Sequence, residues 1–215
     1  FCLDRAGLVG PDGPTHHGVF DISLMNALPG IIISAPKDGN ELDNLILTAL
    51  ETNKPFCIRY PKSNSINYHQ TNISKVLEIG SWEKLNNGKN IAILATGSMV
   101  DLAINTIDEI EKKFGFKPTV INCRFIKPFD KKMLDNIIDS HQSIITIEEG
   151  ILTGGFGSSI VDYAKNIDIK VYTMGIKDEY IEHGTRQELL DLVGLNNNSL
   201  INLIEQSLNM NSGGN

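Results

Sequence analysis

The chain has 215 residues, of which 41% are hydrophobic and 21% charged, a composition typical of a globular protein with one or two domains. Its 19 basic and 26 acidic side chains give a formal charge of −7, which argues against a nucleic-acid-binding surface or an anionic-membrane surface. No apolar run approaches the roughly 20 residues that a membrane-spanning helix needs, and no Cys/His spacing resembles a zinc site.

A loop over residues 4–18 comes first in the chain and carries the strongest functional signal. It combines Arg5, Asp12 and His16 with glycines and prolines, which fix the backbone while charged groups stay exposed. A guanidinium can bind a carboxylate or phosphate through two donors, and an imidazole can move a proton near neutral pH. The alternative is a structural ion pair between Arg5 and Asp12. Because the loop comes so early, we expect the chain to be the back part of a larger enzyme.

Residues 31–62 predict the order strand, helix, strand of an α/β unit. The β-branched run 31–34 is typical of a buried parallel strand, and Asp38 and Glu41 have the spacing of a capping box that opens a helix. The predicted apolar face of this helix consists of Leu42, Leu45, Ile46, Ala49 and Leu50.

Arg59 stands near the end of the next predicted strand, over residues 56–60. In open α/β sheets, ligands bind beyond the carboxyl ends of the strands, so we predict that Arg59 is a phosphate ligand. A solvated arginine at a strand end is the alternative interpretation. His17 is expected to point away from the site that His16 faces.

Residues 63–89 are polar and lack periodicity, and they are predicted to form a linker. A second α/β unit starts at Asn90, where a strand over 91–95 precedes one helix capped by Ser98. Strands and helices then alternate, which predicts a mostly parallel sheet with helices on both faces. The further strands are 119–123, 143–147 and 170–173, and a Thr185–Glu188 capping box opens one of the later helices.

The pair Glu148 and Glu149 is followed by glycines at 154, 155 and 157, which together suggest a phosphate-binding loop. However, the spacing is not Gly-x-Gly-x-x-Gly, and no lysine occupies the position that a P-loop requires. We therefore predict a structural role, in which the glycines let a strand, a loop and a helix approach closely.

The cysteines Cys2, Cys57 and Cys123 are odd in number and widely spaced, which predicts buried, reduced thiols rather than a disulfide framework. This use of cysteine fits a cytoplasmic protein of bacterial type. A plastid-type organelle stays open as an alternative.

These motifs, in this order, resemble the thiamine-diphosphate-dependent transketolase-like enzymes over essentially the whole chain. Residues 3–21 are most similar to the 1-deoxy-D-xylulose-5-phosphate synthases of that family. Weaker matches follow at residues 58–61, 95–98, 124–128 and 148–158. The resemblance implies an α/β fold in two parts. Residues 1–62 would be the second part of a pyrimidine-binding domain, 63–89 a linker, 90–210 a C-terminal domain with a mostly parallel sheet, and 211–215 a tail.

The resemblance also implies an activity. Such synthases are homodimers that condense pyruvate with D-glyceraldehyde 3-phosphate, release carbon dioxide and form 1-deoxy-D-xylulose 5-phosphate, a precursor of isoprenoids, thiamine and pyridoxal. The residues that hold thiamine diphosphate and Mg²⁺ are expected upstream of Phe1. No cofactor or metal ligand is therefore assigned in this chain, and the chain alone is expected to be inactive.

Four residues take their roles from the same resemblance. Arg5 and Arg59 would bind the phosphate or carboxylate of the substrates, and Asp12 and His16 would be catalytic residues that hydrogen-bond the pyruvate-derived adduct and the acceptor hydroxyls. Lys62 replaces the arginine common in the family after Tyr-Pro, which leaves its share in phosphate binding open.

Three other functions remain as alternatives. A transketolase would transfer two-carbon units between sugar phosphates and would not use pyruvate. A 2-oxo-acid dehydrogenase β subunit would co-purify with a lipoyl-bearing core. A non-catalytic dimerisation or regulatory module would derive from the same fold.

Overall fold

Two β-sheets with surrounding helices make up residues 1–65 and 73–212, the parts of the chain that the computed structural model describes. The strands are β1 (Cys2–Leu3), β2 (Ile32–Ser34), β3 (Phe56–Arg59), β4 (Glu83–Asn86), β5 (Ile91–Ala95), β6 (Thr119–Asn122), β7 (Phe125–Lys127), β8 (Ser143–Ile151) and β9 (Lys170–Ile176). The helices are α1 (Asp21–Asn26), α2 (Gly39–Leu50), α3 (Met99–Asn105), α4 (Ile107–Phe114), α5 (Lys131–Ser140), α6 (Phe156–Ala164), α7 (Arg186–Leu192) and α8 (Asn197–Ser212).

The first sheet has the strand order β1-β3-β2-β7. β1 and β2 pair with β3 in parallel, as the predicted strand, helix, strand order requires. β7 pairs with β2 in antiparallel fashion, with Ile33 opposite Lys127. The second half of the chain therefore supplies an edge strand to the sheet of the first half.

The second sheet has the order β4-β6-β5-β8-β9, in which only the edge strand β4 is antiparallel to its neighbour. The predicted α/β class with mostly parallel sheets is thus confirmed. β4 lies inside the segment predicted as a linker, and Leu77 and Trp82 of the same segment are buried. Part of that predicted linker, residues 66–72, lies outside the described residues. The division into domains stays a prediction.

The second sheet separates two hydrophobic cores. All residues of β5 are fully buried, because both faces of the sheet are covered. Successive side chains point to opposite faces: Ile93 belongs to a core shared with α3, α4, α7 and α8, whereas Leu94 faces a core that includes Ile33 of the first sheet. The second core therefore joins the two sheets.

A buried polar network also joins them. The Glu41 carboxylate of α2 is 3% exposed and accepts hydrogen bonds of 2.8 and 3.1 Å from the Asn122 amide at the end of β6. Lys37 Nζ and Arg124 Nη1 lie 3.4 and 3.6 Å from Glu41 Oε1. Two cations and an amide thus compensate for taking this carboxylate out of water.

Several helices differ from the sequence-based predictions. The helix predicted from Ser98 is divided into α3 and α4 at Thr106, whose hydroxyl donates to Leu102 O at 2.7 Å, a bond that bends helices. On α2, Ile46 and Leu50 are exposed rather than buried, so this part of the predicted apolar face is wrong.

Helix ends follow the capping predictions in part. Thr185 and Glu188 form the predicted capping box of α7. At α2, Asp38 accepts from Glu41 N as predicted, but Glu41 accepts from Lys37 N rather than from Asp38. α8 continues through Ser212 into the predicted tail, whose last residues, 213–215, lie outside the described part. Over the ranges described, no helix has the length and apolar character needed to cross a membrane.

Candidate active site

The opening loop lies at the carboxyl ends of β1 and β3, where ligands of parallel sheets bind. Ala6 N donates to Tyr60 O, directly after β3, at 3.0 Å. The two ends of the loop are joined by backbone bonds, because Gly7 N donates to Gly18 O and Gly18 N donates to Arg5 O. The loop therefore has a defined backbone on the edge where a site was predicted.

Three side chains of this loop and one that follows β3 lie close together, and we call Arg5, Asp12, His16 and Lys62 the loop cluster. Lys62 Nζ donates to Asp12 Oδ2 at 2.6 Å, and Arg5 Nε lies 3.7 Å from the same oxygen. The hydrogen bond from Lys62 and the charges of Lys62, Arg5 and His16 hold the pKa of Asp12 below its ordinary value, against the opposing effect of its partial burial. The structure thus adds Lys62 to three residues that the sequence had already grouped.

The cations of the loop cluster are open to solvent. The side chains of Arg5 and Lys62 are 43% and 52% exposed, and the exposed His16 ring lies with Nδ1 2.9 Å from the Thr15 hydroxyl. An anion arriving from solvent can therefore reach both cations without rearrangement of the core.

Arg59 lies in the interior instead. It is 4% exposed, and its Nη2 donates to Gly18 O and to Glu149 O, each at 3.1 Å. Its Nε lies 3.8 Å from Asp21 Oδ2, but burial dominates and raises the pKa of Asp21. The solvated arginine considered as an alternative is therefore wrong. Substrate binding by Arg59 stays a prediction, since its guanidinium contacts protein carbonyls.

His17 is turned away from the loop cluster. Its ring is buried, Nδ1 accepts from Val9 N at 3.1 Å, and Nε2 lies 3.3 Å from Glu182 O. Because Nδ1 accepts a backbone N–H, the ring proton is on Nε2, which donates to that carbonyl. His17 thereby ties the opening loop to the segment before α7.

Glu149 is a residue at this site that the sequence did not identify. It is 2% exposed on β8, and its Oε1 accepts from Leu8 N in the opening loop at 2.8 Å. Its Oε2 accepts from Ser98 Oγ and Arg186 Nη2, each at 2.5 Å. The predicted capping role of Ser98 is therefore wrong: its side chain makes no capping bond to α3 and binds Glu149 instead. An acidic pair after a buried strand was the one available signal.

The neighbouring Glu148 faces the other side of β8. Its carboxylate accepts from Phe156 N at 2.8 Å and Gly157 N at 2.7 Å, at the start of α6. Burial raises the pKa of Glu148 to about 7, although these two bonds act in the opposite direction. The glycine segment before α6 is thus filled by the protein's own carboxyl group, which agrees with the predicted structural role.

The cysteines are free, with Cys57 and Cys123 buried and Cys2 exposed, so the prediction of burial is wrong for Cys2. Burial raises the pKa of the Cys57 thiol to about 11 and that of Cys123 well above its ordinary value. Within residues 1–65 and 73–212, no group of three or more His, Cys, Asp and Glu side chains could hold a metal ion.

Comparison with known proteins shows which family this chain belongs to. Residues 1–66 match the family described as "Transketolase, pyrimidine binding domain", and residues 80–200 match "Transketolase, C-terminal domain". The chain belongs to the transketolase family. The predicted resemblance is therefore confirmed, and the two matched segments of this transketolase-family chain carry the opening loop and Glu149, respectively.

Curated relatives of this transketolase-family chain are named 1-deoxy-D-xylulose-5-phosphate synthase. Those of Syntrophus aciditrophicus and Aquifex aeolicus are each 39% identical, over 98% and 97% of this chain. That of Dictyoglomus thermophilum is 45% identical over 93% of it. The chain spans about a third of the length of these relatives, since the matched part is 33%, 33% and 32% of their respective sequences.

Solved structures agree with the fold. A structure described as "Split gene transketolase, inactive beta4 tetramer" has a TM-score of 0.86 and 25% identity, and the match covers 97% of this chain and 66% of that one. Transketolase from Campylobacter jejuni has a TM-score of 0.69 at 23% identity, over 96% of this chain and 30% of that one. The latter likeness concerns the fold alone.

Proposed function

We propose that this chain forms the back part of a thiamine-diphosphate-dependent 1-deoxy-D-xylulose-5-phosphate synthase. That enzyme would condense pyruvate with D-glyceraldehyde 3-phosphate to 1-deoxy-D-xylulose 5-phosphate and carbon dioxide, and so supply isoprenoid and thiamine precursors. The observation that carries the proposal is the loop cluster, which lies at the carboxyl edge of the first sheet in a chain whose relatives bear that name.

The loop cluster suits these substrates because both are anions. Arg5 and Lys62 share one carboxylate, and an arriving phosphate or carboxylate would take over their exposed donors. The lowered pKa of Asp12 keeps that side chain ionised and able to accept from a hydroxyl group. The exposed His16 would exchange a proton with the adduct. We therefore propose Arg5 and Lys62 as substrate-binding residues and Asp12 and His16 as catalytic residues.

Arg59 fits a different contribution to the same site. Its contacts with Gly18 O and Glu149 O support a positioning role at the far end of the loop. Direct contact with substrate, as the sequence predicted, would use the guanidinium donors that these two bonds leave free.

The proposal extends to where the cofactor is held. The described residues offer no cluster of acidic, histidine or cysteine side chains for Mg²⁺, and the chain matches about a third of its relatives' length. We therefore propose that thiamine diphosphate and Mg²⁺ are held by residues outside this chain, and that the chain alone is inactive. The similar split-gene transketolase structure is described as an inactive tetramer, which supports the proposed inactivity of the chain alone. The homodimeric state and the cytoplasmic location remain parts of the proposal.

The test uses the full-length gene product that contains this chain, with Mg²⁺, thiamine diphosphate, pyruvate and D-glyceraldehyde 3-phosphate. We expect aldehyde-dependent release of carbon dioxide and a five-carbon 1-deoxy product. His16→Asn should lower kcat about 100-fold, the size typical of a lost acid or base. Arg5→Met should mainly raise KM, because it removes a binding contact.

Lys54→Met is the matched control, since Lys54 is exposed at the opposite end of β3, and it should leave the kinetics unchanged. Two-carbon transfer from a ketose phosphate without use of pyruvate would overturn the proposal in favour of a transketolase activity.

A further inference from the structure

The carboxylate of Glu149 connects the second sheet to the opening loop. One oxygen, Oε1, accepts from Leu8 N across 141 positions of sequence, and the other accepts from Ser98 and Arg186. The two oxygens thus have different roles: Oε1 contacts the loop, and Oε2 contacts the side chains that fix the carboxylate. Charge-assisted bonds of this kind are about twice as strong as those between neutral groups.

The groups that fix Glu149 are themselves fixed. Arg186 is the first residue of α7, directly after the capping box formed by Thr185 and Glu188. Ser98 lies directly before α3 and makes no capping bond there, so its hydroxyl is given over to Glu149. Two helix starts of the second half of the chain thus determine where this carboxylate lies.

The loop is shaped to accept Glu149. Gly7 has a φ of +74°, and a Cβ built there would lie 2.6 Å from Glu149 Cγ, closer than real Cβ contacts allow. A glycine is therefore needed both for the left-handed backbone and for the approach of the glutamate. The backbone of Gly7 and the side chain of Glu149 are therefore in close contact.

The backbone of Glu149 serves the other end of the same loop. Its carbonyl accepts from Arg59 Nη2, which also donates to Gly18 O. One residue of β8 thus holds the loop twice, at Leu8 through its side chain and at Gly18 through the buried arginine. Asp12 and His16 lie between these two points, and Arg5 lies shortly before the first of them.

From this geometry we infer that Glu149 is a positioning residue of the active site. It holds the loop that carries Arg5, Asp12 and His16 in the conformation that binds the anionic group of the substrate. The inference rests on the proposed function, because it is that function's site that Glu149 orients. Without this contact, the segment around Leu8 would lose one of the bonds that order it before substrate binds, and misplacement by about 1 Å can cost about 100-fold in rate.

The test compares Glu149→Ala with the conservative Glu149→Gln in the full-length enzyme. The alanine variant loses the bond to Leu8 N and should lower kcat/KM about 100-fold. The glutamine variant keeps an oxygen for Leu8 N but cannot accept from Arg186 with its NH2 group, so its kcat/KM should lie between those of the wild type and the alanine variant. Leu134→Ala is the control: Leu134 is fully buried in the second core, so this variant lowers stability without touching the loop and should leave kcat/KM unchanged.

Hydrogen exchange of residues 6–18 gives a second readout that does not depend on activity. Exchange should accelerate about 10-fold or more in Glu149→Ala and remain slow in Leu134→Ala. If the alanine variant is insoluble, Arg186→Met replaces it, because Arg186 is partly exposed and its loss should accelerate exchange in the same segment.

Two results would overturn the inference. One is unchanged exchange in the loop after loss of the carboxylate or of its arginine partner. The other is accelerated exchange with unchanged kcat/KM. A wild-type enzyme that does not use pyruvate would instead refute the proposed function, while the exchange measurement would still report whether Glu149 orders the loop.

Discussion

Replacing Glu148 by glutamine should change how the stability of the protein depends on pH. Glu148 is fully buried and accepts from two backbone N–H groups at the start of α6, and burial nevertheless raises its pKa from 4.5 to about 7. A carboxyl whose pKa is raised on folding binds its proton more tightly in the folded state. Its contribution to stability is therefore complete below pH 4.5 and is lost as the pH rises through 7.

The size of the effect follows from the two pKa values. The difference between about 7 and 4.5 corresponds to about 3 kcal/mol at about 1.4 kcal/mol per pKa unit. Because part of the titration of the unfolded chain is complete by pH 5, about 2.5 kcal/mol of this is expected between pH 5 and pH 8. The glutamine cannot ionise, so the E148Q variant lacks this loss. If the glutamine amide loses one of the two bonds from the backbone N–H groups, the free energy of unfolding of the variant falls by the same amount at every pH.

The assay is urea unfolding of the 215-residue chain from pH 5 to pH 8, at one protein concentration. The free energy of unfolding of the wild type should fall by about 2.5 kcal/mol relative to the E148Q variant over this range. Glu51→Gln, at the exposed end of α2, is the matched control and should follow the wild type. Parallel curves for wild type and E148Q would refute the reasoning, and an opposite slope would mean that the two N–H bonds outweigh burial.

Three further predictions concern single contacts. Gly7→Ala should cost about 3 kcal/mol in urea unfolding and Gly30→Ala about 1 kcal/mol, since both glycines have a φ of +74° but only a Cβ at Gly7 would overlap a neighbouring side chain. Lys62→Met should raise the pKa of Asp12 towards its ordinary value, as measured by NMR titration of the carboxyl carbon, because it removes the bond that lowers this pKa most. Glu41→Ala should cost about 3 kcal/mol in the same unfolding assay, because it leaves a buried amide and two cations without their shared carboxylate. Three results would contradict the corresponding predictions. These are equal losses of unfolding free energy at the two glycines, an unchanged Asp12 pKa, and a loss under about 1 kcal/mol at Glu41.

The parts of the fold that the sequence predicted are those with a strong local pattern. The run of β5 and the capping box at Thr185 depend on neighbouring residues, and both agree with the structure. β7 has three residues and pairs with a strand about ninety positions earlier, and no local pattern specifies such a partner. Thr106 divides one predicted helix because its hydroxyl binds a carbonyl of the preceding turn. The periodicity of hydrophobic residues does not reveal such a bond.

The same distinction between local patterns and long-range contacts applies to the candidate site. Arg5, Asp12 and His16 were grouped because one glycine-containing loop carries them. The Lys62 contact depends on the chain returning to that loop after β3. Glu149 depends on contacts between residues 141 apart, and its role is visible only when the two sheets are placed together.

The pairing of β2 with β7 has a consequence for where this chain can be cut. The two family matches end at residue 66 and begin at residue 80, but β7 lies in the second match and completes the sheet of the first. Pieces separated between those matches would leave one edge of β2 open and β7 without its partner, and such bare strand edges promote self-association. A cut between the two matched segments would therefore divide the first sheet, and the resulting pieces should aggregate where the intact chain folds.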